Sequence, residues 1–108
     1  MAETTPELKR IIREYCAQLA EMGIQAQRAL LFGSQLHGTA APDSDIDLIV
    51  VSTDWERYNR RERLEILGIA AARILQPIQA HGFTPEEIAQ QKISPFWMRI
   101  IAEQAVAV

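Results

Sequence analysis

LLFGSQLHGTAAPDSDIDLIVVS, residues 30–52, is the stretch whose interpretation governs the rest of this chain. Its two ends have the composition of strands. The first, residues 29–32, is apolar and stops at Gly33-Ser34, where a residue without a Cβ permits a tight turn and a close approach of backbone N–H groups to a ligand. The second, residues 45–52, is rich in Ile, Leu and Val. Residues 37–44 between them contain Gly38, Pro42 and Asp43 and have the composition of a polar loop.

Asp45-Ile46-Asp47-Leu48 opens the second strand. Side chains alternate across a strand, so Asp45 and Asp47 project from one face, roughly 7 Å apart at the backbone, and Ile46 and Leu48 from the other. Two like charges held so close repel unless a hard divalent cation sits between them. Carboxylate oxygens are the ligands Mg²⁺ favours, commonly shared with substrate phosphates. Gly33 and Ser34 would supply the phosphate end of the same site, through exposed N–H groups and a hydroxyl. Together these residues describe a cradle for Mg²⁺ and a triphosphate.

Gly33-Ser34, Gly38 and Ser44-Asp45-Ile46-Asp47-Leu48 fit the pattern GS-x₃-G-x₅-SD-x-DL. In this the chain resembles the DNA polymerase β-like nucleotidyltransferases, and specifically their minimal, single-domain branch. The resemblance implies an α+β nucleotidyltransferase fold with Asp45 and Asp47 as catalytic metal ligands. It also implies nucleotide contacts from Gly33, Ser34, Gly38 and Ser44. The implied reaction is attack of a hydroxyl on the α-phosphorus of an NTP, with ATP the expected nucleotide and AMP the group moved. Many members of the minimal branch are antitoxins paired with an all-helical HEPN toxin, so a HEPN-domain toxin is the implied partner and a hydroxyl on it the implied acceptor.

At 108 residues the chain is expected to form one domain, residues 1–108, with a single core. Its formal net charge of −3 argues against a dedicated nucleic-acid binder. One cysteine, no apolar run of membrane-spanning length and no hydrophobic leader point to a cytoplasmic setting as the default.

Thr5-Pro6-Glu7 has the grammar of a helix start, and Leu8, Ile11, Ile12, Tyr15, Cys16, Leu19 and Met22 make one apolar stripe before Gly23. Cys16 lies in that stripe and is expected as a buried structural thiol. Residues 54–76 read as a second long helix with Leu64, Leu67, Ala71, Ile74 and Leu75 on one face. Its arginines, Arg57, Arg60, Arg61 and Arg63, are expected as a solvated face interleaved with Glu56, Glu62 and Glu65 rather than a triphosphate or RNA clamp. Trp55 and Tyr58 are expected to close the core rather than roof a base.

Residues 78–83 are expected as a third strand beside the Asp45 strand, and Thr84 with Glu87 as a capping box after it. In the family the resemblance suggests, this strand carries a third catalytic carboxylate, and Gln79 stands at that position. An amide offers a neutral oxygen and cannot act as a base. His81 shares the face of Gln79, where hydrogen-bonded structure is a commoner role than catalysis, and His37 overlies the phosphate site. Ser94-Pro95 begins a last helix with Phe96, Ile100 and Ile101 directed to the core. Residues 105–108 form an uncharged tail suited to an edge strand or to docking on another chain, a homo-oligomer included.

The architecture expected is therefore a small mixed sheet from residues 29–32, 45–52 and 78–83, with the long helices on one face and the acids on the other. Three functions compete: an active Mg²⁺-dependent nucleotidyltransferase modifying a partner protein, a catalytically weakened nucleotide- or protein-binding antitoxin, which Gln79 favours, and an accessory nucleic-acid binder, which the acidic charge disfavours.

Overall fold

A computed structural model describes residues 5–33 and 45–108 of the chain. Helix α1 (Pro6–Glu21) starts where the sequence places it: the Thr5 hydroxyl accepts from the Leu8 N–H at 3.1 Å, with Pro6 in the first turn. Leu8, Ile11, Ile12, Tyr15 and Leu19 are buried. Beyond the helix, Gly23 adopts a φ of +90°, and the Ile24 N–H reaches back to the Leu19 carbonyl at 2.9 Å. Cys16 is half-buried, and burial pushes its thiol pKa up, as befits a structural thiol.

Strands β1 (Arg28–Phe32), β2 (Ile46–Val51), β3 (Ile78–Phe83) and β4 (Val106–Ala107) form one mixed sheet in the order β3-β2-β1-β4. β1 and β2 are antiparallel, with Phe32 opposite Asp47. β2 and β3 are parallel, with Asp47 opposite Gln79 and Ile49 opposite His81. The tail does become an edge strand, β4, antiparallel to β1.

One helix replaces the long helix expected over residues 54–76 only in part. Thr53–Arg57 is a 3₁₀ turn, and α2 (Arg60–Arg73) begins afresh behind Asn59. The Asn59 side chain accepts from the Glu62 N–H while Glu62 accepts from the Asn59 N–H, each at 2.9 Å. This reciprocal cap satisfies backbone donors that a continuous helix would have used internally. The apolar face shifts accordingly. Leu67 and Ala71 are buried, but Leu64 is 52% exposed and Leu75, at a φ of 56°, is 88% exposed.

Side chains alternate between two cores, as strand geometry requires. Leu31, Leu48, Val50 and Ala80 pack under α1 and α2, where the Tyr15 hydroxyl donates to the Leu67 carbonyl at 2.8 Å. Leu30, Ile49, Val51 and Phe83 pack on the opposite face against Ile100 and Trp97. The short helices α3 (Pro85–Ala89) and α4 (Pro95–Arg99) belong to that second layer, α3 beginning with the Thr84–Glu87 capping box. Phe96, expected in the core, is 63% exposed, and its neighbour Trp97 takes the core side of α4 instead, packing on Phe32, His81 and Phe83; a π-helical turn over Ile100–Gln104 follows.

Trp55 is fully buried and donates to the Val50 carbonyl at 3.1 Å, so it closes the core. Arg63 departs from the solvated face expected of its neighbours. It is 7% exposed and donates to the carbonyls of Trp55, Tyr58 and Gly82 and to Glu87 at 2.8–3.1 Å. Arg57 and Arg61 are exposed. Among the described residues no helix is long and apolar enough to cross a membrane.

Candidate active site

The start of β2 builds the site. Ile46 and Leu48 point into the core under the helices, at 4% and 0% exposure, which commits Asp45 and Asp47 to the opposite face. There the second apolar layer ends and the acids remain accessible. Asp45 is exposed and Asp47 half-buried. Burial raises the Asp47 pKa from its ordinary value, and the charge of Asp45 raises it further. The two acids thus feel each other, as their spacing in the sequence requires.

Parallel pairing sets Gln79 beside Asp47, and its amide Nε2 donates to Asp45 Oδ2 at 2.7 Å. Gln79 therefore sits with both acids, at the position where the resemblance looks for a third carboxylate. Among the described residues no three His, Cys, Asp or Glu side chains converge as metal ligands. The donor set is instead two carboxylates and one amide. Its unrelieved negative charge fits a hard divalent cation whose remaining positions go to water or phosphate.

Gly33 closes the other side. Its φ is +80°, and a Cβ built there would collide with the Asp47 carboxylate. The glycine is required twice, by the backbone and by the acid it touches. Ser34, His37, Gly38 and Ser44, assigned by sequence to the phosphate end, lie outside the described residues.

His81 shares the face of Gln79 one pleat farther along β3. Its ring packs against Trp97, tilted by 45° with centroids 4.3 Å apart. Burial lowers its pKa and the charge of Arg60 lowers it further, so the imidazole is neutral near pH 7. Sequence reasoning had no signal for the Trp97 contact, which joins elements that are distant along the chain.

A family model for the nucleotidyltransferase domain matches residues 9–100. Among solved structures, a chain of a toxin–antitoxin crystal structure with AMP-PNP superimposes with a TM-score of 0.61 at 21% identity, over 92% of this chain and 69% of that one. A Sulfolobus solfataricus chain provisionally named a nucleotidyltransferase superimposes with a TM-score of 0.53 at 16% identity, over 99% of this chain and 89% of that one. No curated protein matches. The fold, the paired acids at the head of β2 and a family match that spans most of the sequence lead to one assignment: the chain belongs to the nucleotidyltransferase domain family.

Proposed function

We propose that this protein transfers a nucleoside monophosphate, AMP in the first instance, from an NTP to a hydroxyl on a partner protein, as the antitoxin of a toxin–antitoxin pair. The partner expected from the resemblance is a HEPN-domain toxin. The observation that carries the proposal is the convergence of Asp45, Asp47 and Gln79 on one accessible sheet face, with Gly33 against Asp47. Support for the setting comes from the similarity to a chain of a toxin–antitoxin structure that contains AMP-PNP.

Asp45 and Asp47 would hold Mg²⁺, which supplies the positive charge that a triphosphate and its transition state need. Gly33 and Ser34 would present the backbone and hydroxyl donors that fix the β and γ phosphates for in-line attack. The acceptor oxygen bonds to the α-phosphorus, the bond to pyrophosphate breaks, and pyrophosphate leaves. The hydroxyl proton needs a base that Gln79 cannot be. His81, neutral and on the same face, takes that role in this reading.

A specific observation keeps a second reading in play. Gln79 donates to Asp45, so a hydrogen-bond donor occupies the place where a third carboxylate would add negative charge. That arrangement suits a weakened module that binds MgNTP or its toxin without turnover. Incubation with labelled ATP, Mg²⁺ and the product of the adjacent gene separates the two readings. Label transfer by the natural chain, abolished by Asp45→Asn, supports the enzyme. Transfer only by Gln79→Glu establishes the weakened module.

A further inference from the structure

β3 forms one edge of the sheet, and among the described residues no strand pairs with its outer side. Its hydrogen-bond phase is readable from both ends. The Ile46 N–H donates to the Pro77 carbonyl at 2.8 Å and the Ser52 N–H to the Phe83 carbonyl at 3.1 Å. Parallel pairing repeats every two residues, so Gln79, His81 and Phe83 turn their backbone groups toward β2, and Ile78, Ala80 and Gly82 turn theirs outward. The ends of this outer row are already occupied. The Ile78 N–H donates to the Gln76 carbonyl at 2.9 Å, and Arg63 Nη1 donates to the Gly82 carbonyl at 3.1 Å. Both backbone groups of Ala80, the Ile78 carbonyl and the Gly82 N–H have no partner among the described residues.

A cavity of about 260 Å³ lies along this edge, between β3 and α2, with Leu64, Gly68, Ile78 and Ala80 in its wall. Leu64 is half exposed there, and a Cβ on Gly68 would meet nothing within 4 Å. At the Gly82 end stands Arg60, whose guanidinium pairs with no acid among the described residues. The edge thus has unpaired backbone groups on residues that are themselves nearly buried, Ile78 and Ala80 at 8% exposure, with an apolar recess on the helix side and a cation at one end.

We infer that the outer edge of β3 is the acceptor site, taking an extended peptide segment as an added strand, with a hydroxyl-bearing residue opposite Gln79, an apolar residue beside it in the Leu64–Gly68 recess and an acidic residue toward Arg60. The inference rests on the transfer reading above. Facing residues of neighbouring strands share a sheet face, and strands lie about 4.8 Å apart. A residue opposite Gln79 therefore points its side chain to the Asp45–Asp47 side, next to Gln79. Its immediate neighbour in the peptide points to the α2 side, where the recess is. Backbone bonds then give affinity and the alternating side chains give selectivity. The chemistry is the step already written: the peptide oxygen joins the α-phosphorus, pyrophosphate departs and the proton goes to His81.

The test uses the full chain, ¹⁵N-labelled, and a capped synthetic heptapeptide that alternates valine with serine or tyrosine and ends in glutamate. Saturable shifts of the Ala80 and Gly82 amide signals are expected on titration. Ala80→Pro, which replaces an outward N–H by a ring carbon, and Gly68→Leu, which fills the recess from the helix, are each expected to weaken binding about tenfold. Absence of binding, or binding that leaves both amides unmoved, overturns the inference. So do Ala80 and Gly82 shifts that follow protein concentration alone, which assign the edge to a second copy of the chain. Labelled ATP and Mg²⁺ in the same tube separate the two levels. Label on the peptide without edge shifts overturns the edge and leaves the transfer reading standing; edge shifts without label overturn the edge as acceptor site and leave the transfer reading to the assay with the adjacent gene's product.

Discussion

Gly33 shows how a single position can bind backbone and chemistry together. Its left-handed φ of +80° already disfavours any other residue, and the Asp47 carboxylate fills the space a methyl group would take. Gly33→Ala is expected to lower stability by about 1–2 kcal/mol, measured by urea unfolding. It is also expected to cut label transfer at least tenfold, because relief of the clash moves Asp47. An unchanged transfer rate would show that the position of this carboxylate is not critical. Arg63 is the structural counterpart. It ties the 3₁₀ turn, β3 and α3 together through three carbonyls and Glu87. Burial raises the Glu87 pKa, but the Arg63 hydrogen bond, the Thr84 N–H and the Arg63 charge outweigh it and hold the carboxyl low. Arg63→Met removes every one of these bonds while keeping much of the stem, and is expected to cost about 3 kcal/mol by urea unfolding. A loss below about 1 kcal/mol would mean that water replaces the guanidinium without penalty.

At the scale of elements, what local grammar specifies was readable and what distant contacts specify was not. The Thr5 and Thr84 caps, the stripe of α1, the three main strands and the edge role of the tail follow from spacing and residue type. So does the common face of Asp45 and Asp47, a matter of strand period. The division of residues 54–76 was missed although its signal is local: Asn59 three residues before Glu62 is a helix start inside a helical pattern. Apolar periodicity runs through that cap and sets Leu64 and Leu75 on the face of Leu67 and Ala71, whereas in the fold both are exposed. The burial of Arg63 and the contact of His81 with Trp97 have no sequence signal, because each depends on partners brought in by the fold. The cap carries its own test. Asn59→Ala is expected to destabilise the protein by about 1 kcal/mol, read as a lower urea midpoint at unchanged m-value. A change in m-value as well would indicate that the 3₁₀ turn and α2 unfold separately.

The whole molecule is a sheet with two unequal layers. α1 and α2 pack on one face, whereas on the other the C-terminal layer packs on Ile49, His81 and Phe32 and, among the described residues, leaves Asp45 exposed and Asp47 half-buried. Asp47 sits at that boundary, which is why burial and the Asp45 charge both raise its pKa. The consequence for stability has a definite sign. A carboxyl whose folded pKa exceeds its unfolded one stabilises the fold while protonated, and that contribution is lost as pH rises from the unfolded value through the folded one. At neutral pH ionised Asp47 therefore opposes folding, and only weakly because solvent screens so accessible a group. Asp47→Asn is expected to raise the melting temperature slightly at pH 7 without divalent cations, with the gain fading as pH falls through the carboxylate range. Mg²⁺ with ATP should reverse the order: the natural chain gains stability by ligand linkage, and the variant, lacking one of the two carboxylates, gains much less. Thermal unfolding at pH 4, 5 and 7, with and without MgATP, measures both effects. A natural chain that MgATP does not stabilise, or a variant stabilised equally, would detach Asp47 from the nucleotide and leave its raised pKa as a feature of the sheet boundary alone.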